Sequence, residues 1–407
     1  MPVSSTDVPV PETVPILDID PYTDEALADP FPLHAEVRAA GPVVFAPKYG
    51  VYFMGRYRDV LPTLKDWQRF SSTSGSGIAD IRRPDAWRAP SPIVEVDPPR
   101  HTEVRTALQR ILSPRLIKAW SERFRPEAER LVDALVKRGR IDAADDLAEA
   151  FVCDVFPKAI GWADHPERRE RLMLLGALNF DGQGPRNARF LATEAAAADI
   201  MDWNNAQMLR ESLAADGFGQ EIYAAADRGE IEPEIAPLLI RSFIRGGLDT
   251  SSSMIAAALY HLANAPAEYA ALRADPSLVR RVLDEAMRLE TPIQTVCRLT
   301  MEDVAFDGVT VPANNKIIVL LASANRDPDA FDEPDTFRLD RPPQPHVALG
   351  AGIHMCIGQM IARMEGELIL NVLIERVGEI APAGPTRRRL NNNLRAFQSI
   401  PVTLVAG

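Results

Sequence analysis

Leu349-Gly350-Ala351-Gly352-Ile353-His354-Met355-Cys356-Ile357-Gly358 is the stretch on which the reading of this chain turns. Glycines stand on both sides of one cysteine, and helical periodicity begins just after Gly358. Glycine lets the backbone pass close to a flat ligand. The free N–H groups and dipole of a following helix stabilise negative charge on a neighbouring sulfur. The chain has three cysteines, Cys153, Cys297 and Cys356, with no short spacing between them. An odd count argues against a disulfide framework, and three thiols cannot complete a four-cysteine iron–sulfur cluster. An arbitrary lone cysteine is most often a small apolar core residue. The Gly, His and Cys spacing around Cys356 points instead to a thiolate ligand for a metal.

Around this loop the composition is that of a globular protein: 407 residues, 46% hydrophobic and 25% charged, with a formal net charge of −12. Leu and Ala are abundant and strand-forming runs are few, which predicts a mainly α protein with small β-sheets. The acidic balance disfavours nucleic acid and anionic membranes as partners. No stretch offers the roughly 18 consecutive apolar residues of a spanning helix, and the first 20 residues lack a basic, apolar leader pattern. A cytoplasmic protein is expected.

Residues 1–14 are rich in Pro, Ser and Val and are expected to form a flexible tail, with a single domain over 15–407. Helical periodicity covers Ala26–Ala40, and the runs VVFAP and GVYFMGR alternate like strands. Ser71–Pro92 reads as a long irregular loop, the kind that is often functional. Helices dominate from Pro99 to Leu239, with breaks expected at Pro157, in the Gly-Gln-Gly-Pro turn and near Gly217. A long apolar helix is predicted over Pro237–Asn264, another over Asp275–Glu290, and one from the cysteine loop through Ile380, followed by a C-terminal strand pair.

The long helix holds Gly246-Gly247-Leu248-Asp249-Thr250, poor helix formers in an apolar setting. Alone this is a kink with a polar lining. Upstream of Cys356 lies Glu285-Ala286-Met287-Arg288, a spacing common on surface helices, with Arg341 beyond it. Together with the cysteine loop these motifs resemble the cytochrome P450 family. The loop is similar to its haem signature, Phe-Gly-x-Gly-x-His-x-Cys-x-Gly, with Leu349 where the family has Phe. The resemblance spans residues 15–404.

The resemblance implies the triangular-prism fold of that family and haem b with Cys356 as axial ligand, where thiolate favours O–O cleavage. Leu349 and Gly350 would lie against the haem, and Gly246 and Gly247 would leave space for O2. Asp249 and Thr250 would supply protons. His101, Arg105, Arg298 and His354 match the family's propionate-binding positions. Glu285, Arg288 and Arg341 would brace the ligand loop. The other histidines, His34, His165, His261 and His346, are expected to be structural or exposed.

Across the chain, stretches such as Trp87-Arg88-Ala89-Pro90-Ser91-Pro92, Val155-Phe156-Pro157 and Asn392-Asn393-Leu394-Arg395 are similar to members that oxidise para-substituted benzoates, such as 4-methoxybenzoate. That implies Arg88, Ser91 and Ser242 as holders of a carboxylate, with Arg241 at the pocket edge and Phe180, Gln183, Val296 and Phe397 as pocket residues. Gln183 replaces an aromatic wall. Arg245 replaces a small residue and lies about 40° around the helix from Asp249. That predicts an i,i+4 pair gating the proton relay; the rival placement is an enlarged anion site. The implied partners are a small aromatic substrate, O2 and a [2Fe-2S] ferredoxin with its NAD(P)H reductase, serving a monomeric enzyme. The alternatives are a neutral phenol or terpenoid as substrate, a peroxide-driven peroxygenase or a haem sensor, and the last two do not need Asp249 and Thr250.

Overall fold

The apolar run after Ile235 becomes the central axis. In the computed structural model, which describes residues 10–407 except 166 and 343, one helix spans Ala236–Asn264, with Pro237 in its first turn, where a missing N–H leaves no bond unmade. Its middle is buried, Asp249 and Ser251 to Ser253 included. Helices Ala150–Ile160, Arg168–Asp181, Phe218–Asp227, Val279–Glu290 and Gln359–Arg376 pack against it. In Val279–Glu290 the apolar residues Val279, Val282, Leu283, Ala286 and Met287 recur at helical spacing and are all buried.

Small sheets flank the helices. The largest orders its strands Val44–Ala46, Val51–Met54, Lys316–Leu320, Thr295–Thr300, Phe70–Ser71. The second and third of these are parallel, with Phe53 opposite Ile318. A hairpin joins Val304–Phe306 to Val309–Val311 through Asp307 and Gly308, whose φ values of 41° and 85° suit the turn that strand twist favours. Ser71–Pro92 carries no helix or strand beyond Ser71.

Four boundary expectations are corrected. Residues 1–9 lie outside the described residues, but Val14 is buried beside Val43 and Phe45, so no flexible tail reaches residue 14. The first helical stretch is two helices, Asp24–Ala28 and Phe31–Ala40, separated at Pro30. Pro157 does not break its helix, which runs to Ile160 and stops at Gly161 with φ 107°. The carbonyl of Cys153, whose helical partner Pro157 cannot supply, accepts from Arg168 Nη2 at 3.4 Å. The helix after the cysteine loop ends at Arg376, and Ile380 belongs to strand Val377–Pro382, paired with Leu404. Cross-strand pairing there overrides helical periodicity. Among the described residues no helix is long and apolar enough to cross a membrane.

Candidate active site

A cavity of about 280 Å³ runs from Cys356, Leu349, Gly350 and His354 past Gly246 and Thr250 to Arg88, Ser91, Arg241, Ser242 and Arg245. Phe180, Gln183, Val296 and Arg298 also line it.

The loop at the cysteine end is shaped by Gly350 and Gly352, with φ of 70° and 68°, values that disfavour any side chain. A Cβ on Gly352 would come 2.6 Å from the carbonyl oxygen of Leu64. The Cys356 N–H donates to Leu349 O at 2.8 Å and closes the loop. Burial pushes the Cys356 thiol up, although the N–H groups of Gly358 and Gln359 and the cations Arg105 and Arg363 pull it down. The helix start therefore assists the thiolate without sufficing; a bound metal cation would complete the deprotonation.

The residues beside the loop fit a haem. The rings of His101 and His354 have centroids 4.5 Å apart, and among the described residues their four buried ring nitrogens lack hydrogen-bond partners. Asp97 Oδ1 stands 3.8 Å from His354 Nε2, outside hydrogen-bond reach. Burial, with His354 and Arg105 nearby, lowers His101 to about 4, so its ring is a neutral donor near pH 7. Arg298 is buried, and among the described residues its side chain donates only to its neighbour's carbonyl, Cys297 O at 2.8 Å. Unsatisfied buried donors of this kind call for an anionic ligand, and the two propionates of a bound haem would supply it.

The neighbouring glycines of the long helix differ. A Cβ on Gly246 would meet nothing within 4 Å, so Gly246 opens onto the cavity. A Cβ on Gly247 would come 2.6 Å from the Phe156 ring. Gly247 therefore serves helix packing rather than space for O2, a correction to the expectation. Thr250 lines the cavity and donates to Gly246 O at 2.6 Å, leaving its oxygen free to accept.

Asp249 faces away from the cavity and does not pair with Arg245. Arg389 Nη2 donates to Asp249 Oδ1 at 2.7 Å, and Arg389 Nη1 reaches Glu149 Oε1 at 3.2 Å. Asp249 packs so tightly on the helix Arg168–Asp181 that a Cβ on Gly176 would stand 1.4 Å from Oδ2. Burial raises Asp249 despite Arg389, and Oδ2 has no partner. The arginine from strand Arg387–Arg389 takes the carboxylate, so Arg245 turns to the cavity. The expected Arg245–Asp249 pair is thus absent, and Arg245 lines the cavity instead.

At the distal end Arg88 is already engaged. Its two terminal nitrogens donate to Glu95, Nη1 to Oε2 and Nη2 to Oε1, both at 2.7 Å. Burial raises Glu95, but Arg88 and the N–H groups of Ser91 and Ser76 bring it down to about 2. Arg88 therefore carries no free charge for a ligand. Ser91 Oγ and Ser242 Oγ lie 2.9 Å apart. Phe397 is not a pocket residue: it is buried under Arg388, 3.8 Å from its ring, and beside Tyr260. Gln183 Oε1 is tethered by Asn393.

The Glu285 group braces the structure. Arg288 Nε and Nη2 donate to Glu285 at 2.8 Å each, and Arg341 Nε at 3.0 Å. Arg288 Nη1 donates to the carbonyls of Asn325 and Pro334. Sequence reasoning missed Glu95 and Glu365. Glu365 is fully buried behind the long helix, raised to about 8 by burial with Ser251 partly offsetting. Its signal was a glutamate at a position that the apolar periodicity of Gln359–Arg376 turns inward.

Residues 232–378 match the cytochrome P450 family. The chain is 44% identical to cytochrome P450 CYP199A2 of Rhodopseudomonas palustris, covering 96% of this chain and 95% of that one. It is 28% identical to the cytochrome P450 monooxygenase PikC of Streptomyces venezuelae, over 95% and 94% of the two chains. The solved structure of cytochrome P450 CYP109Q5 from Chondromyces apiculatus superposes with a TM-score of 0.77 at 30% identity, covering 96% and 99%. With a lone cysteine in a glycine loop beside unpartnered propionate donors, the chain belongs to the cytochrome P450 family and is a haem-thiolate monooxygenase.

Proposed function

We propose that this monooxygenase oxidises a small aromatic acid, hydroxylating or O-demethylating a para substituent. The observation that carries the reading is the cavity itself. It has a hydroxyl pair and two arginines, Arg241 and Arg245, without carboxylate partners among the described residues, at one end. At the other is the cysteine loop. A buried carboxylate without partners is costly, and charge-assisted bonds from these groups would fix the acid end. The ring would then lie between Phe180 and Val296 with its para group toward Cys356, and such positioning accounts for regioselectivity. The similarity of the segments around Arg88, Pro157 and Asn392 to benzoate-oxidising members supports the same substrate class.

Bound haem would activate O2 with two electrons and oxidise the substrate. The chain's own groups would handle protons. Thr250 Oγ1, held by Gly246 O, would accept a hydrogen bond at the cavity wall. Asp249 Oδ2, in a carboxyl raised by burial, would hold a proton on the far side of the same helix turn, and rotation away from Arg389 would bring it round. The electrons would come from a [2Fe-2S] ferredoxin and its NAD(P)H reductase, and turnover with these but not with peroxide alone checks that assignment. Substrate binding is tested by titrating the holoenzyme with 4-methoxybenzoate and its methyl ester while following the Soret band. Losing one charge-assisted bond weakens binding roughly 10- to 150-fold. Equal affinity for acid and ester would reject the acid site.

A further inference from the structure

The distal end of the cavity carries more positive charge than a single carboxylate can use. Arg88, Arg241 and Arg245 line it, with Glu95 as the one acidic residue among them. Glu95 is consumed by Arg88. Arg241 Nη2 reaches only the carbonyls of Ala89 and Pro90, at 3.2 and 3.5 Å. Arg245 is 8% exposed, and among the described residues it has no hydrogen bond or ion pair; its buried Nε is unsatisfied.

Arg245 shares this end of the cavity lining with two other arginines. After burial, the charges that act on Arg245 are those of Arg241 and Arg88. The acid on its own helix face, Asp249, is held by Arg389 on the other side. Ser242 and Arg245 are three residues apart and share a helix face. One carboxylate satisfied by Arg241 and the Ser91–Ser242 hydroxyls would still leave Arg245 buried and unpaired, which is costly.

Building on the aromatic-acid reading, we propose that Arg245 is a specificity-determining residue that selects a small aromatic substrate whose polar head carries two negative charges. Adjacent ring carboxylates and an aryl phosphate share this chemistry. The second charge neutralises the guanidinium that a simple benzoate leaves unmatched.

The test uses the holoenzyme in chloride-free buffer at about pH 7.5, where Arg245, lowered to about 9, remains charged. Dissociation constants are measured for 4-methoxybenzoate, 4-methoxyphthalate, 4-methoxyphenyl phosphate and methyl 4-methoxybenzoate. At least one dianion should bind about 10- to 150-fold tighter than 4-methoxybenzoate, and which one does so identifies the head group. Arg245→Gln, which removes the charge and leaves a shorter side chain with an amide donor, should bring that ratio within about threefold, and Arg245→Lys, which keeps the charge, should retain most of it. Equal affinities in the unaltered enzyme, or a ratio unmoved by Arg245→Gln, overturn the dianion proposal and leave the aromatic-acid reading standing. An ester that binds as tightly as the acids overturns both. The carbonyl band of each reduced variant reports folding. If Arg245→Gln fails to fold, the ratios of the unaltered enzyme and Arg245→Lys decide.

Discussion

Around Glu285, the Nε, Nη1 and Nη2 atoms of both Arg288 and Arg341 all find an oxygen acceptor, side-chain or main-chain. At the far end of the cavity, Arg245 is also buried, and among the described residues its Nε has no acceptor and the side chain makes no ion pair. The contrast separates scaffold from site. Where the fold supplies the counter-charge, arginine is structure; where it withholds it, the ligand must bring it. Arg88 shows that the same residue type in one cavity can fall on either side of this line, because Glu95 is seven residues away on the same loop.

This comparison can be broken or sharpened by substitution. The largest effect is expected from Cys356→Ala, which removes the anion that the proximal cations face. The red-shifted band of the reduced carbonyl complex should vanish entirely, and retention of that band would reassign the ligand. Next, Arg288→Ala leaves Glu285 buried without its bidentate partner and should destabilise the protein by about 3–5 kcal/mol. Denaturant unfolding with haem retention measures this; a loss under about 1 kcal/mol would place the brace among ordinary surface pairs.

Glu95→Gln converts a compensated arginine into an uncompensated one. Glu95 is held below its ordinary value, so its contribution to stability is present above the unfolded pKa of about 4.3 and lost as pH falls toward about 2. The variant should lose stability at neutral pH, and the difference from the unaltered protein should shrink on acidification through that window. A difference independent of pH would contradict the pairing. The smallest effect is expected from Arg389→Gln, which frees Asp249 of a partner without touching the cavity. Affinity for aromatic acids should stay within about twofold, while the fraction of NADH appearing as product changes. A shift in affinity with unchanged coupling would mean that Asp249 communicates with the substrate end.

The haem end was legible in the sequence because its chemistry is local. Cys356, Gly350 and His354 lie within one loop, and His101 and Arg105 on one helical turn. The distal end was legible in its residues but not in their pairing. Arg88 was read as the acid anchor, yet a loop has no periodicity from which its bond to Glu95 could be inferred. Asp249 was paired with Arg245 by helix geometry, but Arg389 arrives from a strand 140 residues away. Phe397 went to the core because the strand carrying it faces Tyr260. Each miss concerns a contact made by tertiary packing, which spacing does not encode.

Gly246 and Gly247 are adjacent and chemically identical, yet one faces open space and the other the edge of Phe156. Variation at the first would be tried against the shape of whatever molecule enters. Variation at the second would be tried against the survival of the folded chain, because the ring has nowhere to go. Two neighbouring codons thus answer to different selective pressures. A side chain added at the first would take room from the cavity, whereas one added at the second would push two helices apart.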